Sequence, residues 1–143
     1  MLQLDMVFVK SQKSKDMKAN IEKHIPSALE QIKSFYTANH DQPIKKEYKS
    51  YLSSLGASII MSGLLPTLAV YYSEEGKADR TVVIKWVFNI VKPLHGNCNG
   101  KTDLLKYAIQ IDSDSILKEI LTEDIKNISI ALKLAIRTFP LTK

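Results

Sequence analysis

The chain has 143 residues, 45% of them hydrophobic and 24% charged, which supplies one packed core and excludes a disordered or fibrous polypeptide. Five glycines and five prolines give little material for the many turns of an all-β fold. A net charge of +5, from 20 Lys and Arg against 15 Asp and Glu, permits an acidic partner such as nucleic acid without requiring one. The apolar runs fall far short of the roughly 18 residues needed to span a bilayer. The opening Met1–Val9 carries Asp5 and lacks the basic start of a secretory signal. The single cysteine, Cys98, has no partner for an internal disulfide, which fits a reducing compartment. Together these features predict a soluble cytoplasmic protein without membrane association.

Taken in order, residues 16–39 predict a helix, with Ile21, Ile25, Ala28, Leu29, Ile32 and Phe35 spaced three and four apart. Pro26 interrupts that pattern, so the helix either starts near it or kinks there. Asn39 to Pro43 is a break. From Ile44 to Ser62, Tyr48, Tyr51, Leu52, Leu55 and Ile59 share one face, while Lys45, Lys46, Lys49 and Ser53 share the other. Ile60 and Met61 then occupy the polar side, which predicts that this end is buried all round. Gly63 stops the helix, Pro66 suits the first turn of the next, and Gly76 ends that one. Thr81 to Val91 is rich in β-branched and aromatic residues, as a buried strand would be. It has no partner strand, so it is read as a central buried helix with a polar strip of Lys85, Asn89 and Lys92. Pro93 to Lys101 is a loop, Thr102 caps a short helix to Ile111, and Asp112 to Ser115 caps another. The last helix, Thr122 to Phe139, buries Ile125, Ile128, Ala131, Leu132, Ala135, Ile136 and Phe139. The expected fold is therefore an all-α, single-domain bundle of about six helices over residues 1–143. Residues 1–15 are either a loosely ordered or an additional N-terminal segment.

The chemistry-bearing residues do not converge. His24, His40 and His95 stand singly on three segments and are read as surface or loop histidines, since a metal site needs ligands at matched spacing. Asp112-Ser-Asp114 with Glu123 imitates a calcium loop, but Ile116 and Leu117 stand at its fifth and sixth positions, so helix capping is the better reading. Cys98, three residues from His95, reads as an unreactive loop thiol. Asn127-Ile128-Ser129 is a glycosylation sequon inside a helical stretch and is read as accidental. No nucleophile elbow or phosphate-binding glycine loop occurs. No catalytic residue, metal ligand or cofactor is expected. Two cationic stripes remain: Lys45, Lys46 and Lys49, and then Lys126, Lys133 and Arg137. A helix that aligns cations can track phosphates, although such a face is by default merely solvated.

Gly63-Leu-Leu-Pro-Thr-Leu-Ala69, preceded by Tyr48, Leu55 and Ile59, resembles the hallmark stretch of the Cmr small-subunit family, the fifth protein of type III-B CRISPR complexes. The likeness continues through Trp86, Asp103-Leu-Leu, Ile111-Asp-Ser113 and Thr122-Glu123 to Ile136-Arg137-Thr138-Phe139. Ser62, Val70 and Ala135 stand where Asn, Phe and Trp are usual, and the first forty residues match poorly. The resemblance implies an α-helical bundle without nuclease activity that serves antiviral defence. Several copies would stack beside the other Cmr subunits, with a basic surface lining the groove where target RNA pairs with guide RNA. The partners so implied are the other Cmr subunits, further copies of the chain, and the guide–target duplex, mainly its target strand. At least one stripe, Lys45/Lys46/Lys49 or Lys126/Lys133/Arg137, would then face RNA. The alternatives are the small subunit of the related type III-A (Csm) complex and a helical DNA-binding regulator.

Overall fold

The computed structural model describes residues 18–73, 79–98 and 103–143, so the N-terminal segment, Gly76 and Thr102 lie outside it. Six helices are described: α1 (Ile25–Ala38), α2 (Lys46–Ser62), α3 (Leu64–Tyr71), α4 (Arg80–Val91), α5 (Leu104–Gln110) and α6 (Ser115–Ile136). Residues 18–22 add a helical turn before α1, and two 3-10 turns, Lys92–Leu94 and Gly96–Cys98, follow α4. No strand occurs among the described residues, only an isolated parallel bridge between Ile44 and Leu141. The all-α expectation holds.

Thr81 to Val91 is helical, as expected, and forms the centre. Asp79 caps α4, its carboxylate accepting hydrogen bonds from the Thr81 amide (2.9 Å) and hydroxyl (2.6 Å). Val83, Ile84, Trp86, Val87, Phe88, Ile90 and Val91 are all buried. A helix apolar nearly all round must be surrounded, and α4 touches each of the other five helices. Phe35, Tyr48 and Trp86 lock α1, α2 and α4 together edge to face, with ring centroids 5.3 to 5.7 Å apart.

The longest packing seams run along α6, against α1 and α2. The segments flanking α2 and α6 are stitched: the Ile44 amide donates to the Pro140 carbonyl and the Thr142 amide to the Ile44 carbonyl, both at 2.9 Å. The Lys46 amide donates to the Thr142 hydroxyl (3.0 Å). The start of α2 is thereby tied to the end of α6, and the two helices run antiparallel, side by side.

Several boundaries differ from the sequence reading. Pro26 lies in the first turn of α1, so the helix starts there and does not kink. Ile44 is extended and buried, and α2 begins two residues later. The end of α2 is not buried all round: Ile60 is 70% and Met61 85% exposed. The chain turns away at Gly63, whose φ of +94° is open only to glycine, so α3 leaves this corner uncovered. α3 ends at Tyr71, ahead of Gly76. Asp103 caps α5, with its carboxylate accepting from the Lys106 amide (2.7 Å). Asp114 caps α6 through the Leu117 amide (3.0 Å), and the helix runs unbroken for 22 residues to Ile136, short of the expected Phe139. Helix capping by Asp114 is thus realised, and Asn127 and Ser129 are buried within α6.

Candidate nucleic-acid interface

The antiparallel pairing of α2 and α6 decides where the two stripes fall. Ser53, Gly56, Ala57 and Ile60 of α2 and Lys126, Ser129, Ile130 and Lys133 of α6 line one groove of about 310 Å³. Its floor is open because Gly56 has no side chain and nothing lies within 4 Å of where one would sit. Lys49 and Lys46 precede Ser53 by one and two turns, so helical phase puts them on the same bank of the seam. Arg137, exposed at the C-cap of α6, continues the opposite bank. Two of the six expected cations, Lys126 and Lys133, thus line the groove, and helical phase sets Lys46, Lys49 and Arg137 along its banks. Sequence periodicity shows two separate faces and could not show them meeting.

Lys45 departs from this arrangement. It is exposed and lines a second cleft with Phe35, Asn39, Gln42, Pro43, Ile44 and Tyr48. Lys126 is partly neutralised, its ammonium lying 2.9 Å from Glu123 one turn earlier. An exposed pair of this kind contributes little to stability, so it can exchange for a phosphate. The sequence reading placed Ser53 and Ile60 on the lysine side of α2 but did not single out Gly56, Ala57 or Ile130, which also line the groove. Gly56 and Ala57 carry a signal in the small-residue spacing on the lysine side of α2, and Ile130 carries none.

The histidines require correction. His40 is exposed in the break, with φ of +59°, but His24 is only 4% and His95 only 6% exposed. His95 Nε2 lies 2.7 Å from Asp124 Oδ2, and its Nδ1 lies 3.2 Å from the Tyr107 hydroxyl. A neutral ring protonated on Nε2 satisfies both contacts by donating to the carboxylate and accepting from the phenol. The ring ties the turn after α4 to α5 and α6. Cys98 is 2% exposed, and burial pushes its thiol up, with Lys92 opposing, so it offers little of the thiolate that reactivity needs.

His24 precedes α1 with its Nε2 buried and without a hydrogen-bond partner. Burial first, then Lys23, lowers its pKa below 6.5, against a smaller pull from Asp124. A base with a depressed folded pKa binds more protons when unfolded, so its stabilising share is complete above the unfolded value of 6.5. That share declines as pH falls below it. The melting temperature should therefore drop between about pH 7.5 and pH 5.5. His24→Gln should flatten that drop; an identical pH profile in wild type and variant would show that His24 does not carry it.

Fold and surface together define a small helical protein whose open grooves carry lysine beside aliphatic side chains. Among the described residues, no three His, Cys, Asp or Glu side chains are placed to hold a metal, and no helix is long and apolar enough to cross a membrane. α3, which a DNA-reading helix would have to be, is Leu-Leu-Pro-Thr-Leu-Ala-Val-Tyr, with no base-reading cation or amide. The family model described as CRISPR-associated protein (Cas_Cmr5) matches residues 8–131. The chain belongs to this family, that of the small subunit of type III-B CRISPR complexes. Comparisons with curated proteins and with solved structures gave no match.

Proposed function

We propose that the chain is a non-catalytic subunit of a Cmr ribonucleoprotein, present in several copies along the guide–target groove and contacting target RNA through the α2–α6 seam. The observation that carries the reading is the groove between antiparallel α2 and α6 lined by Lys126 and Lys133, with Lys46, Lys49 and Arg137 in phase with its banks, in a member of this family. None of these cations is needed by the core. Contact with a phosphate backbone requires only cations at suitable spacing, because pairing with the guide supplies sequence specificity. Each contact is weak, so a single free copy would hold RNA poorly while a row of copies holds it well. Lys45, set in its own cleft, would lie at the margin of this surface.

The absence of a catalytic role is supported by what surrounds the buried polar groups. His95 is buried and its Nε2 is held 2.7 Å from the partly exposed Asp124 carboxylate, and Cys98 is buried. The reading is tested by rebuilding the complex with Ala in place of Lys46, Lys49 and Lys133. Target-RNA capture should weaken to a similar degree for every target sequence while assembly proceeds normally. Unchanged capture would reduce the seam to a solvated surface.

A further inference from the structure

The exposed side of α6 carries a pattern that the core does not use and that meets the lysine groove only at Ile130. Ile116, Ile120, Ile130 and Leu134 are 72%, 48%, 41% and 44% exposed. At about 100° per residue, the last three all fall within about 40° of Ile116, so the four form two apolar pairs on one side of the helix, with Glu123 and the buried Asn127 between them. Charge along this side changes sign at its middle. Glu119 flanks the first pair and Glu123 lies just beyond it; Lys126 and Lys133 flank the second. Depressions border both halves, one beside Asn20 and Lys23 and the other the groove beside Ile60.

We infer that this side of α6 binds a second copy of the chain, α6 against α6, in an antiparallel pairing with a two-fold axis at residue 125. The pairs Ile116 with Leu134 and Ile120 with Ile130 are both centred on residue 125, so a single register places all four apolar side chains of each copy opposite those of the other. The same register brings Glu119 beside Lys133 of the partner subunit and Glu123 beside Lys126 of the partner subunit. A parallel arrangement would set glutamate against glutamate and lysine against lysine. The surface is thus complementary to itself under a two-fold axis, the commonest symmetry of soluble oligomers. The antiparallel helix dipoles add to the attraction. A strip of four aliphatic side chains is smaller than a standard interface, so the dimer is weak and concentration-dependent. It stands independently of the RNA reading. If both hold, they compete for Lys126 and Lys133, so a paired copy withholds two of the five seam cations from RNA.

The test uses the full chain in sedimentation velocity, from about 5 to about 500 µM, the range expected of a small interface. Wild type should pass from monomer to dimer. The chain with Glu119→Lys and Glu123→Lys and the chain with Lys126→Glu and Lys133→Glu should each associate at least tenfold more weakly. An equimolar mixture should recover the dimer, since one surface is then wholly basic and the other wholly acidic. A wild type that stays monomeric overturns the proposal, as do reversed chains that dimerise like wild type, or folded reversed chains that ignore each other. A spin label at Ser115→Cys decides the direction without reversing any charge, Cys98 being buried. Antiparallel pairing sets the two labels about 30 Å apart along the helix axis. Labels found side by side, at about 10 Å, would mean parallel helices and overturn it.

Discussion

Trp86→Ala is expected to destabilise the chain by about 3–5 kcal/mol, the range for removing a buried large aromatic side chain. The indole is 4% exposed at the middle of α4, the helix in contact with all the others. Its removal loses two edge-to-face contacts, with Phe35 at 5.3 Å and Tyr48 at 5.6 Å, and opens a cavity where α1, α2 and α4 meet. Because those three helices are held by one aromatic cluster, they cannot close the gap without shifting together. Urea unfolding followed by circular dichroism measures the loss, since Trp86 is the chain's single tryptophan and the variant has no indole signal. A loss below about 1 kcal/mol would place the core elsewhere.

Leu132→Ala, in the last third of α6, should cost about 2–5 kcal/mol. Leu132 is fully buried, with Ile128, Ala131, Ala135 and Ile136 beside it on the helix. Leu134, two residues on, is 44% exposed, and Leu134→Ala should cost well under half as much. Comparing the two leucines by thermal and urea unfolding tests which face of α6 is inward. Equal losses would contradict the packing described.

The inward face of α6 was legible because Ile125, Ile128, Leu132 and Ile136 recur at helical spacing. The nature of α4 was legible by elimination, since a lone strand would have no partner to satisfy its backbone. What could not be read depends on contacts distant in sequence. Nothing local tells that Ile44 pairs with Leu141, and it is that stitch which lays α2 antiparallel on α6 and joins the two lysine stripes. His24 and His95 read as surface or loop residues because isolated histidines have no periodic signal; both do lie between helices, but buried. Their burial depends on partners such as Tyr107 and Asp124, in later helices. Ile60 and Met61 failed for the opposite reason: their apolar character suggests burial, but Gly63 turns the chain away from them. An apolar pattern states what a side chain prefers, and topology decides whether a neighbour arrives.

The salt dependence of target binding tests the account most directly. For single-stranded or duplex targets, log K falls with log salt by about 0.7–0.9 for each phosphate contact. Complexes rebuilt with Lys46→Ala, Lys49→Ala and Lys133→Ala together should therefore show a slope flatter by about 2 or more for every copy that touches RNA. Affinity should fall most at low salt, and the chain itself should melt nearly as wild type does, because surface lysines open at least in part to solvent add little to stability. Complexes that assemble fully and keep both the affinity and the slope of wild type would contradict the assignment of the α2–α6 seam to RNA.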